Sequence, residues 1–194
     1  MLCGEYVPLL SEEQWIEVDA HLPYLAYLKA EWDKPDVRPF TRWVERRLIT
    51  HPDVNDWSQN HLRGCLLWAI RGALLQRVPM DTKWYEVKYL RREHLGELRV
   101  IGRCEWDDPS DKNEVLSVAK RKPLPIDNAV ASWESPLLWG HNKAGPFTIL
   151  EGNHRLTAIA GSASDLPVNW SCYVGISNGT CFWHLADPLT DIAL

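Results

Sequence analysis

No stretch of this chain approaches the run of about 18 apolar residues that a membrane-spanning helix requires, so no transmembrane segment and no membrane partner is expected. The first residues include Glu5 and lack a basic stretch followed by an apolar one, so no secretory signal is visible. Cysteine is sparse and scattered: Cys3, Cys65, Cys104, Cys172 and Cys181 make five, an odd number with no C-x-x-C pair. That pattern argues against a disulfide framework and against a zinc site, and no metal centre of protein ligands is expected. Reduced thiols in a cytoplasmic protein follow. Positive charge is also in deficit. With 21 Lys and Arg against 26 Asp and Glu, the formal charge is −5. A protein that coats nucleic acid without specificity normally needs a basic face. No internal repeat and no low-complexity tract is found.

What is present is a globular composition, 45% hydrophobic and 24% charged over 194 residues. That length can bury a real core. The chain is tryptophan-rich, with 11 Trp, most of them expected in the core. Trp133 and Trp139 lie in a polar stretch instead, where a base or ring could stack on them.

Residues 1 to 80 read as helical. Ser11-Glu12-Glu13-Gln14 has the form of a capping box, predicting a helix from there to His21. Pro23 and Pro39 can each open a further helix. A fourth helix, capped in the Asp53–Asp56 region, would turn Leu62, Leu66, Ala69, Ile70, Ala73 and Leu74 inward. From residue 81 onward the pattern changes to strands and short helices. Strands are predicted from Trp84 to Leu90, Glu97 to Cys104, Phe147 to Leu150, Val168 to Ile176 and Cys181 to Ala186. A helix is predicted from Asn113 to Lys120, and a loop from Trp133 to Pro146. Asn178-Gly179 is a hairpin signal.

The richest stretch runs from Phe147 to Gly161. An apolar run, Phe147 to Leu150, reads as a buried strand. Gly152 can adopt positive φ and reverse the chain. Leu156, Ile159 and Ala160 recur at helical spacing, and Gly161 suits the helix end. A strand, tight turn and helix arranged this way aim the first N–H groups of the helix, and its positive dipole end, at one spot. With Arg155 beside them, they suit an anion such as phosphate. Glu151 fits either a general base or Mg²⁺ carrier, or a residue that caps the helix dipole.

Glu151-Gly152-Asn153-His154-Arg155, with Leu156 and Ala158 behind them, resemble the signature turn of the ParB/sulfiredoxin-like superfamily. Leu166-Pro167-Val168 and the strand after it are similar to the Pro-Val strand that trails this helix in the family. The likeness spans residues 82 to 185, and Phe147 to Val174 is its specific part. It implies a mixed ParB/sulfiredoxin-like domain over 81–194, which with the helical region read over 1–80 makes an α+β fold. It also implies that Gly152, Asn153, His154 and Arg155 hold the phosphates of a nucleoside tri- or diphosphate of the ATP/ADP kind, with Mg²⁺ as its companion. Glu151 and His154 would be the catalytic pair. The branches of the family include a kinase, an ATP-dependent reductase, nucleases and nucleotide-binding partition proteins. Phosphoryl transfer or hydrolysis, a nuclease, and a non-enzymatic nucleotide or nucleic-acid binding module all stay open. Sulfiredoxin activity does not fit, because Asn153 stands where that branch needs its Cys. The His-Arg form is closer to the kinase-like and reductase-like branches.

Other residues complete the list of candidates. Trp139, His141, Asn142 and Lys143 lie just before the motif strand, where a loop could close over a bound phosphate or remain a surface turn. Arg38, Arg42 and Arg46 form an i, i+4, i+8 stripe, and Lys120, Arg121 and Lys122 a second basic cluster. Either could meet nucleic acid or simply face solvent. His184 sits in an apolar run and reads as a strand residue.

Overall fold

The computed structural model describes residues 15–35, 37–45, 51–53, 59–88, 92–100, 115–121, 134–162, 170–179 and 181. Within them the elements run β1 (Trp15–Val18), α1 (His21–Glu31), α2 (Arg38–Glu45), α3 (Asn60–Leu75) and β2 (Lys83–Val87). A 3-10 helix (Arg92–Glu97) leads into β3 (Leu98–Arg99). Then come α4 (Val115–Arg121), β4 (Leu137–Gly140), β5 (Phe147–Glu151), α5 (Asn153–Gly161) and β6 (Cys172–Ile176). The fold is α+β, with a six-stranded mixed sheet in the order β1-β2-β6-β4-β5-β3. β1 pairs antiparallel with β2 and β2 with β6. β6 runs parallel to β4, β4 antiparallel to β5, and β5 parallel to β3.

Strand alternation sends side chains to two hydrophobic clusters. Leu138, Phe147, Ile149, Cys172 and Val174 meet Leu156 and Ile159 of α5, Val118 of α4 and Leu95 of the 3-10 helix. Leu137, Trp139, Leu150 and Trp84 meet Ala26, Tyr27 and Leu28 of α1 and Leu66, Leu67 and Leu75 of α3. Helices therefore cover both faces. β4 is buried at every position and β5 at all but Thr148. Each thus reads as a continuous apolar run rather than an alternating one.

Several sequence expectations are corrected here. Trp15–Val18 is an edge strand paired with β2, not part of a helix running from Ser11 to His21. The tertiary partner overrides the capping-box signal, and Ser11 to Gln14 lie outside the described residues. Leu137–Gly140 is a strand inside the stretch read as loop. On α3, Leu66 is buried but Leu62 is exposed, and the side chains of Ala73 and Leu74 lie outside the described set. The sheet and the second cluster both contain residues from either side of position 80. The strand beginning at Leu98 is described only to Val100, and of the predicted Cys181–Ala186 strand only the buried Cys181 is described.

Candidate functional site at the β5–α5 turn

The turn has the predicted strand-to-helix form, and its backbone explains why. Gly152 holds φ at +94°, in the left-handed region, between the last residue of β5 and the first of α5. A Cβ there would also come within 3.1 Å of the Pro136 Cβ. Pro136 lies just before β4, and Leu137 is registered against Glu151. The segment 134–136 thus forms one wall of the turn.

Glu151 is buried, and burial pushes its carboxyl above the ordinary range. Arg155 and Lys34 act the other way, as does the Gly152 N–H that hydrogen-bonds it. Glu31 adds to the rise. The Arg155 Nη2 donates to Glu151 Oε2 at 3.3 Å, back across the Gly152 turn to the end of β5. Its Nη1 donates to the Glu134 carbonyl oxygen. Arg155 is itself buried, so this is not an arginine on an exposed first turn. Asn153 Nδ2 donates back to the Ile149 carbonyl oxygen at 3.1 Å, which ties the helix start to its own strand. His154 is exposed. Sequence reasoning gave Asn153 and Arg155 to a ligand. The structure shows that each also has a protein partner that holds the turn in shape.

The helical region adds residues that sequence reasoning missed. Glu31, the last residue of α1, is buried. It forms an ion pair with Lys34, and accepts from Arg71 Nε at 2.7 Å and from the Arg71 Nη2. Lys34 Nζ also stands 3.9 Å from Glu151 Oε1. It therefore joins the α1 carboxylate to the β5 carboxylate. Tyr27, buried on α1, is held far above the ordinary phenol range, chiefly by burial and then by the Glu31 charge, and Arg71 hydrogen-bonds its hydroxyl. Lys29 pairs with Glu134 Oε1 at 2.9 Å and braces the 134–136 wall. No sequence signal reveals this assembly, because its members come from α1, α3 and the β5–α5 turn.

The loop after β4 goes elsewhere. β5 enters from that loop at Phe147 and leaves at Glu151, so the loop and the turn lie at opposite ends of the strand, roughly 15 Å apart at about 3.3 Å per residue. Lys143 Nζ sits over the rings of Trp15 and Tyr85, at 5.3 and 4.9 Å from their centroids. His141 packs edge-on against Trp139, which is buried. Asn142 Oδ1 accepts from the Ala144 N–H at 2.8 Å and shapes the hairpin. None of Trp139, His141, Asn142 and Lys143 is brought to the Glu151 turn, because strand direction carries them away from it.

On α2, Arg38 is drawn to Asp33 at 3.5 Å and to the Thr41 hydroxyl at 3.2 Å, while Arg42 is exposed. Arg46, Lys122 and the Arg121 side chain lie outside the described set, as do Trp133 and His184, and Lys120 is exposed. Among the described residues no helix is long and apolar enough to cross a membrane. Among the same residues no group of three or more His, Cys, Asp or Glu side chains is placed to hold a metal ion.

No family model, no curated protein and no solved structure matches this chain. The functional reading therefore rests on the chemistry of the turn and on its motif residues.

Proposed function

We propose that this protein binds the phosphate end of a nucleotide of the ATP or ADP kind at the β5–α5 turn. There it catalyses phosphoryl transfer to a hydroxyl acceptor or hydrolysis, with Glu151 as the group that takes up the proton. The observation that carries the reading is Glu151 itself: a buried carboxyl with a raised pKa, beside two cations, at the mouth of a helix N-terminus. Perturbed carboxyls of this kind concentrate at sites of proton transfer. The resemblance of Glu151 to Arg155 to the ParB/sulfiredoxin-like turn points the same way.

The residues fit a phosphate group. Lys34 and Arg155 already engage carboxylate oxygens, and phosphate oxygens have the same hydrogen-bonding needs. The start of α5 adds backbone N–H groups and the positive end of its dipole. The residues do not fit Mg²⁺ in the same way. Glu31 and Glu151, the carboxylates of the cluster, are each engaged by cations. No step is therefore assigned to a metal. With the phosphate held by Lys34 and Arg155, a Glu151 carboxylate relieved of those partners is a stronger base for the acceptor hydroxyl or water.

Glu151→Gln tests the reading. The amide keeps the shape and cannot take a proton. We expect the variant to keep ATP or ADP affinity within a few-fold and to lose turnover in an assay of phosphate and ADP release. Equal turnover in the variant would move catalysis away from Glu151. Nucleotide binding with no turnover by the wild type, across water and small hydroxyl acceptors, would favour a binding module.

A further inference from the structure

We propose that α3 carries half of a zinc site and that a second copy of this chain completes it. His61 and Cys65 of each copy hold one Zn²⁺ and join two chains across the outward face of α3. The contact is independent of the phosphate-binding turn.

For a surface helix, α3 is turned inside out. Such a helix ordinarily sends its charged residues to water and its apolar ones inward. The Lys, Arg, Asp and Glu residues of Asn60–Leu75 are only Arg63 and Arg71. Arg63 is fully buried, and it donates to the His51 carbonyl oxygen at 3.1 Å and to Asn60 Oδ1 at 3.0 Å. Arg71 is turned to Glu31. The outward face instead carries His61, Leu62, Cys65, Trp68 and Ala69, at helical spacing with Cys65 in the middle. Leu62 is 49% exposed and Trp68 47%. An apolar stripe of this kind marks an interaction surface.

His61 and Cys65 identify the partner. They stand at i and i+4, with Cys65 Sγ 3.9 Å from His61 Nε2. Zinc binds thiolate sulfur at about 2.3 Å and imidazole nitrogen at about 2.0 Å, so at a tetrahedral angle the two donors sit about 3.5 Å apart. Both side chains are exposed, and a small rotation about their side-chain bonds closes the difference. One chain supplies two donors here, and a closed tetrahedral site needs four. Among the described residues no third His, Cys, Asp or Glu stands with the pair to hold a metal ion. A two-fold contact supplies the rest, because it brings the same patch of both chains together, His61 and Cys65 from each. The charge also balances. Two thiolates neutralise Zn²⁺ and two imidazoles add nothing, so the centre is neutral and suits a helix face without charged side chains. As it forms, the S–H bond of each Cys65 breaks, two Zn–S bonds form and two protons leave to solvent. No electron is transferred. Leu62 and Trp68 flank the pair and lose water-exposed apolar surface in the contact.

Sedimentation equilibrium of the full chain tests this, with the protein stripped of metal and kept in a phosphine reductant so that no disulfide forms. The monomer mass of 22.4 kDa should double on addition of zinc chloride, with saturation at one Zn²⁺ per two chains. Cobalt chloride in place of zinc should give the visible bands of tetrahedral Co²⁺ and a near-ultraviolet sulfur-to-cobalt band. Zinc should also protect Cys65 from an aromatic disulfide that labels it in the metal-free protein. Cys65→Ser and His61→Ala should each weaken the zinc-dependent dimer at least about tenfold, while far-UV circular dichroism stays unchanged because both residues are exposed. A chain that stays monomeric with zinc, or a dimer that forms equally well without it, would overturn the proposal. So would saturation at one Zn²⁺ per chain, a cobalt spectrum without the sulfur band, or a zinc-dependent dimer that survives Cys65→Ser or His61→Ala.

Discussion

Arg155→Ala should destabilise the protein, and by an amount that grows with pH. Arg155 makes two contacts in a nearly dry setting. One goes to the Glu134 carbonyl, the other to Glu151, and the exposures of the two charged side chains are 10% and 9%. Removing the guanidinium leaves a buried carbonyl without its donor, at about 1–3 kcal/mol. It also leaves the Glu151 carboxylate without its nearest cation, and breaking a buried pair costs about 3–5 kcal/mol in total. At 3.3 Å the pair is longer than the best charge-assisted bonds, so the lower end, about 3 kcal/mol, is expected at pH 7.5. Glu151 can escape part of the penalty by protonating. Its folded pKa is raised above the unfolded value, so its contribution is intact below about pH 4.5 and is lost as pH rises through the folded pKa. Arg155 holds that pKa down, and losing it pushes the pKa higher still. The variant therefore loses stability more steeply with pH than the wild type does. Near pH 4.5, only the carbonyl penalty of about 1–2 kcal/mol should remain. Urea denaturation followed by tryptophan fluorescence at pH 4.5, 6 and 7.5 measures this. For a domain of this size the loss at pH 7.5 corresponds to a melting point lower by about 6–12 °C. Adding Glu151→Gln to Arg155→Ala should flatten the extra pH dependence. A cost below about 1 kcal/mol at every pH, or an unchanged slope in the double variant, would refute a buried Glu151–Arg155 pair.

Further outcomes follow from the same geometry. Gly152→Ala should cost about 1–2 kcal/mol, from left-handed backbone strain and from the close Pro136 Cβ; an unchanged urea midpoint would mean that the turn is not left-handed in solution. Thiol titration with an aromatic disulfide should label Cys65, which is exposed, and leave Cys172 and Cys181 unreacted in the native protein. Burial pushes the Cys172 thiol up to about 12, so at neutral pH it holds almost no thiolate; fast labelling of Cys172, mapped by mass spectrometry, would contradict its packing. Lys143→Ala should remove the contact with Trp15 and Tyr85 and leave phosphate binding unchanged. A tenfold loss of nucleotide affinity in that variant would return the β4–β5 loop to the site.

The motif region was legible because its signals are local. Phe147 to Leu150 is apolar and sits in a central strand, Gly152 takes the left-handed conformation that glycine alone adopts cheaply, and the helix closes on Gly161. β4 was not legible. It spans four residues between Pro136 and a glycine-containing turn, and its burial comes from neighbours on both sides, β5 and β6. β1 was misread because a capping-box pattern precedes it, whereas its state is set by pairing with β2 far along the chain. Both misses are strands whose partners no local window contains.

The site divides along the same line, with a consequence for how a ligand must bind. Glu151 and Arg155 are four residues apart across the Gly152 turn, so their closeness is local. Glu31, Lys34 and Arg71 reach the turn only through the packing of α1 and α3. An arginine at a helix start, read alone, looks like a donor waiting for an anion. Here its first task is structural, since it links Glu151 to the Glu134 carbonyl and keeps the 134–136 wall against the turn. A ligand at this site therefore exchanges partners rather than filling vacancies. It gains only the difference between its own bonds to Lys34 and Arg155 and those that Glu151 gives up.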